Sequence, residues 1–135
     1  TQADQPAQAL NKIASGGELS RISLAIQVAT LGANAIGTMI FDEVDVGIGG
    51  GVAQTVGELL RRLSQHTQIL CVTHLGQVAA QGHHHLKVTK NASTSQVTTL
   101  NEEERVSEIA RMVGGLKITK KSLAHAQEMM SVVQT

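Results

Sequence analysis

The sequence predicts an α/β fold: a mainly parallel sheet flanked by helices, with an antiparallel hairpin at its edge. Three observations carry that expectation. Two short apolar runs, Thr38–Phe41 and Ile69–Thr73, have the length of strands. The stretch between them repeats apolar residues at helical spacing, Val52, Val56, Leu59, Leu60 and Leu63, and a strand, helix and strand in succession imply a right-handed parallel crossover. A polar segment, Asn91 to Ser95, then separates Leu86–Lys90 from Gln96–Leu100 as a hairpin turn does.

Residues 1–11, rich in Gln and Ala and carrying Pro6, hold no sustained apolar period and read as a connector. From Leu19 onward, Ile22, Ile26 and Ala29 form one helical stripe and Leu24, Val28 and Leu31 a second, the pattern of a helix buried on most sides and ended by Gly32 and Asn34. Gly47, Gly49, Gly50 and Gly51 make a turn after the first strand, and residues 75–81 suit a short helix after the second. Asn101 can cap a helix whose first turn carries Glu102, Glu103 and Glu104 and whose inner face is Val106, Ile109, Ala110 and Val113, stopped by Gly114 and Gly115. Thr119 opens a last helix with Leu123, Ala126, Met130 and Val133 on one face. A single continuous core is expected.

Composition bounds the function. The 135 residues suit about one domain, and 11 basic against 11 acidic side chains leave no strongly basic footprint for autonomous nucleic-acid binding. Phe41 is the only aromatic residue, which excludes a base-stacking platform. Cys71 has no partner for an internal disulfide, and no leader pattern is present. The most apolar stretch, Ile22 to Phe41, is interrupted by Ser23, Gln27, Thr30, Asn34 and Thr38, too polar for a bilayer span of roughly 20 residues. The expectation is a cytoplasmic protein.

In open α/β sheets, ligands collect beyond the C-terminal ends of the strands. Here those ends are Asp42-Glu43 and Thr73-His74. Adjacent acids after an apolar strand suit metal-nucleotide chemistry, one carboxylate holding Mg²⁺ and the next orienting and deprotonating a water. Taken alone, the pair better suits acids that face solvent or cap a helix, and only the company it keeps reverses that. Ala14-Ser15-Gly16-Gly17-Glu18 precedes the first helix, and two glycines at a helix N-terminus let backbone N–H groups approach a phosphate. The same Ser15 and Glu18 also satisfy the S-x-x-E capping box.

Other groups read as structural. His83, His84 and His85 alternate faces if they lie on a strand, so they cannot converge on one metal. Cys71 and His74 have no second pair to complete a zinc site, and Cys71 is expected to be a small core residue. Lys120 and Lys121 place positive charge in a helix's first turn, where the dipole disfavours it.

Lys12-Ile13-Ala14-Ser15-Gly16-Gly17-Glu18-Leu19-Ser20-Arg21 resembles the signature motif of ABC-type ATPase heads. Ile40-Phe41-Asp42-Glu43-Val44-Asp45 resembles the Walker B strand of the SMC-like branch, and Cys71-Val72-Thr73-His74 its switch histidine. With Gln77 to His83 and Ile109 to Gly115, these segments are similar, in order from about residue 12 to 130, to the C-terminal part of the ATPase head in the RecN family of bacterial DNA repair proteins.

The resemblance implies half of a split head that binds and hydrolyses ATP with Mg²⁺ in repair and recombination after DNA damage. Ser15, Gly16, Gly17 and Glu18 would bind the nucleotide held by an opposing head. Asp42 would support Mg²⁺ through water, Glu43 would be the catalytic base, and His74 would sense the γ-phosphate. Asp45, Gly47 and Gly49 would belong to a D-loop touching the partner head, with Gly49 where many SMC heads have aspartate. Residues 1–11 would return from a coiled coil. The implied partners are the N-terminal Walker A portion of the same protein, a second head in an ATP-sandwiched dimer, and DNA through the full-length protein, with association to the nucleoid. No G-x-x-x-x-G-K-[ST] occurs, because Gly114-Gly115-Leu116-Lys117 lacks the spacing. These residues alone are therefore expected to be inactive. A transporter nucleotide-binding domain and a non-enzymatic binding module remain the alternatives from the residues themselves.

Overall fold

Ser15 starts the first helix, α1 (Gly16–Ala29), by accepting a hydrogen bond from the Glu18 amide at 3.3 Å, while Glu18 Oε2 accepts from the Ser15 amide at 2.9 Å. This reciprocal box satisfies donors that a helix start leaves free. A computed structural model describes residues 15–30, 36–115 and 118–131. The expected connector, Lys12 to Ala14, the helix end at Gly32 and Asn34, and Val133 lie outside the described residues.

Strand β1 (Thr38–Phe41) pairs in parallel with β2 (Gln68–Cys71), in register from Thr38↔Gln68 to Phe41↔Cys71, and α2 (Gly50–Leu63) connects them. Their alternation is clear. Phe41 is buried, and Met39, Ile69 and Cys71 pack on the core from the same face, whereas Ile40 is 72% exposed and Val72 61%. The runs are largely apolar, as in a sheet covered on both faces, yet the described residues cover only one face. Helix α1 shows the same departure from expectation. Only Gly17 and Leu24 are buried, while Leu19, Ile22 and Ile26 are exposed, because α1 meets α2 and the core along a single stripe.

A four-residue helix, α3 (Gly76–Ala79), follows β2. Strands β3 (Leu86–Lys90) and β4 (Ser95–Thr99) form the expected antiparallel hairpin, with Val88 opposite Val97. Among the described residues this hairpin is a separate two-stranded sheet and not an edge of β1–β2, since no ladder joins the two. Helix α4 (Glu102–Gly114) opens with a second capping box between Asn101 and Glu104, and α5 (Lys120–Ser131) packs along it. No described helix is long and apolar enough to cross a membrane.

The expected single core is two clusters. Leu24, Phe41, Val44, Ala53, Val56, Leu60, Leu63 and Val78 form the first. Ala80, Ile109, Ala110, Ala126 and Met130 form the second. They adjoin at α3, whose Val78 belongs to one and whose following Ala80 belongs to the other.

A buried carboxylate fastens the hairpin to α4. Glu108 accepts from Lys87 Nζ at 2.5 Å and from Arg111 Nη2 at 2.5 Å. The Arg111 hydrogen bond outweighs burial and, with Lys87, holds the Glu108 pKa down to about 2 from an ordinary 4.5. A depressed carboxylate stabilises the fold fully above its unfolded pKa and loses that contribution as pH falls through the folded value. Stability should therefore decline by on the order of 3 kcal/mol between about pH 4.5 and pH 2 through this group. Thermal midpoints across that window should fall more steeply for the wild type than for Glu108→Gln. Parallel curves would contradict the assignment.

Candidate functional site

Because β1 and β2 run in parallel, the residues following them leave the sheet side by side: Asp42 and Glu43 from one, Thr73 and His74 from the other. Asp42 Oδ1 accepts from the Glu43 amide at 2.8 Å. Glu43 itself has φ +58°, a left-handed conformation uncommon outside glycine. Helix α1 braces this turn. Ser20 Oγ donates to the Asp42 carbonyl at 2.8 Å, and Arg21 Nη1 donates to the carbonyls of Val44 at 3.3 Å and Val46 at 2.9 Å.

The glycine pair at the start of α1 lies directly on that turn. A Cβ at Gly16 would strike the Glu43 carboxylate, and one at Gly17 would lie 2.9 Å from the Glu43 carbonyl oxygen. Close approach therefore requires glycine at 17, where the obstacle is backbone, whereas at 16 it is the movable end of the Glu43 side chain. Ser15, Gly16, Gly17, Asp42 and Glu43 thus share one rim. Glu18 is exposed beside them, with its carboxylate accepting from the Ser15 amide in the helix cap.

Asp45 departs most from expectation. As part of a D-loop it should face a partner, yet it is 2% exposed. Its Oδ2 accepts from Thr73 Oγ1 at 2.5 Å and from the His74 amide at 2.9 Å, and His74 Nδ1 lies 3.1 Å away. Burial pushes the Asp45 pKa up, but the Thr73 and His74 hydrogen bonds and the His74 charge outweigh it and hold the group below its ordinary value. The turn faces inward because two donors, the Thr73 hydroxyl and the His74 amide, wait there for a carboxylate. Gly47, at φ +73°, and Gly49 are exposed beyond it.

Burial first, and then the charges of Asp45 and Asp42, push the Cys71 thiol up to about 12, so it stays protonated and unreactive. His83, His84 and His85 precede β3 instead of lying within it. Among the described residues no group of three or more His, Cys, Asp or Glu side chains could cage a metal ion. Asp42 offers a single exposed carboxylate, which fits Mg²⁺ held largely by water and phosphate oxygens. The sequence reading missed Ser20, Arg21 and the inward turn of Asp45. Ser20 and Arg21 stand within the signature-like stretch, but nothing periodic links them to carbonyls more than 20 residues away.

No protein-family model matches the chain. The DNA repair protein RecN of Haemophilus influenzae is 57% identical over 133 residues, covering 96% of this chain and 24% of that protein. RecN of Xylella fastidiosa is 51% identical over 138 residues, 99% of this chain and 25% of its own length. RecN of Bacillus subtilis is 41% identical over 134 residues, 96% of this chain and 23% of that protein. The chain thus spans about a quarter of the length of these relatives. Among solved structures, a chain described in work on ATP-driven dimerization and DNA-stimulated activation of SMC ATPases superposes with a TM-score of 0.59 at 20% identity, covering 85% of this chain and 70% of that one. That likeness establishes the fold.

Proposed function

This chain is similar over nearly its whole length to the C-terminal part of RecN proteins, and from that premise we propose that it forms the signature and Walker B half of a split ATPase head. The complete head hydrolyses ATP to ADP and phosphate between paired copies and serves double-strand-break repair and recombination. One observation carries the reading: Asp42-Glu43 and Thr73-His74 leave the C-terminal ends of two parallel strands side by side, with the exposed Ser15-Gly16 start of α1 beside them.

Each residue has a distinct task. The Ser15 hydroxyl accepts from the Glu18 amide, which leaves its own hydrogen to donate to a phosphate oxygen. The Gly16 and Gly17 amides, in the first turn of α1, are donors of the kind a helix leaves free for an anion. These three groups meet the γ-phosphate of a nucleotide on the opposing head. Glu43 accepts the proton of the water that attacks the nucleotide of its own head, and His74 reaches the γ-phosphate of that nucleotide from the end of β2. Asp42 would hold Mg²⁺ through water, which would supply neutralisation of the charge developing on the phosphate.

The remaining pieces come from outside these residues. The Walker A portion of the same protein supplies the phosphate cradle and covers the open faces at Ile40, Val72, Ile22 and Ile26. DNA is contacted through the rest of the protein. The isolated 135 residues therefore have negligible turnover.

His74→Ala in the full-length protein tests the reading. A lost hydrogen bond to a charged oxygen costs roughly 1.5–3 kcal/mol, and if it is made mainly in the transition state turnover falls about 10- to 100-fold. ATP affinity should change little. Unchanged turnover, in protein of wild-type thermal midpoint, would remove His74 from the site.

A further inference from the structure

We infer that Asp45 is a positioning residue for hydrolysis, its buried carboxylate fixing the direction in which the His74 imidazole points. The inference rests on the reading that His74 meets the terminal phosphate. Asp45 is 2% exposed although it is charged, and a buried charge costs stability unless it is well satisfied. It is satisfied by two residues that follow β2. Thr73 Oγ1 and the His74 amide donate to Oδ2 at 2.5 and 2.9 Å, which pins the carboxylate, and the His74 ring then lies over it with Nδ1 at 3.1 Å.

A carboxylate only accepts, so the nitrogen facing it carries the proton. The His74 side chain is 67% exposed, so among the described residues nothing else encloses the ring. With Nδ1 turned to Asp45, Nε2 is left to face the nucleotide. A ring placed between the carboxylate and a phosphate turns one nitrogen to each, and the pinned carboxylate decides which. Asp45 therefore acts within its own head, through His74, and touches no substrate.

A double-mutant cycle in the full-length protein separates this role from a structural one. Asp45→Asn keeps an oxygen that can accept from Thr73 and the His74 amide but removes the charge. We expect kcat for ATP to fall about 10-fold with KM within about twofold of wild type. In a His74→Ala background the same substitution should change kcat less than about twofold, because the residue it acts through is gone. Thr73→Val, which keeps the charge and removes one of the pinning bonds, should give a smaller fall that also vanishes in the His74→Ala background. It serves as the second probe should Asp45→Asn lower the thermal midpoint. A wild-type kcat for Asp45→Asn, or equal losses in both backgrounds, would overturn the positioning role while leaving His74 in place. A wild-type kcat for His74→Ala would instead remove the premise and the proposal with it.

Discussion

Glu43→Gln in the full-length protein should lower ATP turnover roughly 10²- to 10⁴-fold while ATP still binds, because general base catalysis is worth about that much. Gln is nearly isosteric with Glu and can hold a water, but its amide cannot accept the water's proton. The backbone argues that the substitution is otherwise mild. The left-handed turn at Glu43, with φ +58°, is secured by Ser20 and Arg21 bonding carbonyls of residues 42, 44 and 46, none of which involves the Glu43 side chain. Paired heads should persist longer in ATP. Steady-state turnover and nucleotide binding on the same preparation check this, and turnover within about threefold of wild type would exclude Glu43 as the base.

Leu24→Ala should destabilise the head by about 2–5 kcal/mol, a large share of the ~5–15 kcal/mol that holds a typical domain together. Leu24 is 1% exposed and is the one apolar side chain of α1 that is buried among Phe41, Val44 and the α2 residues. Its truncation opens a cavity where α1 meets the core. The same helix carries Ser15 to Gly17 and the Ser20 and Arg21 braces, so the loss should also weaken cross-head association at temperatures well below the midpoint. Chemical denaturation measures the first effect. A cost under about 1 kcal/mol would show that α1 is held by its exposed stripe and not by Leu24.

Local chemistry was legible in the sequence wherever a residue's partner lies a few positions away. The capping boxes at Ser15–Glu18 and Asn101–Glu104, both strand pairs and the short helix after His74 form as their patterns indicate. Burial was less legible. Leu19, Ile22 and Ile26 have the spacing of an enclosed helix, and apolar periodicity does not say whether this segment or another covers the stripe. The separation of the hairpin from β1–β2 was hidden for a similar reason, since strand patterns carry no information on which strand lies beside which.

The site divides along the same line. Ser15, Asp42, Glu43 and His74 were singled out by motif resemblance, and the 41–57% identity to RecN proteins supports the repair family over the transporter alternative. The Asp45–His74 contact and the Arg21 brace join residues 29 and 23 to 25 positions apart, and no spacing rule reaches that far.

The central claim is that Glu43 of one head works with Ser15 of another. Full-length protein carrying Ser15→Arg should be inactive because a bulky side chain blocks the phosphate-facing turn, and Glu43→Gln should be inactive for want of a base. Mixed under conditions that allow subunit exchange, a two-fold dimer of one of each contains one intact composite site, built from Glu43 of the first variant and Ser15 of the second. The account predicts that an equal mixture regains up to about a quarter of wild-type ATP turnover, since about half the dimers are mixed and each has one good site of two. No recovery, with mixed dimers demonstrated, would place the signature turn and the base in the same head and contradict it.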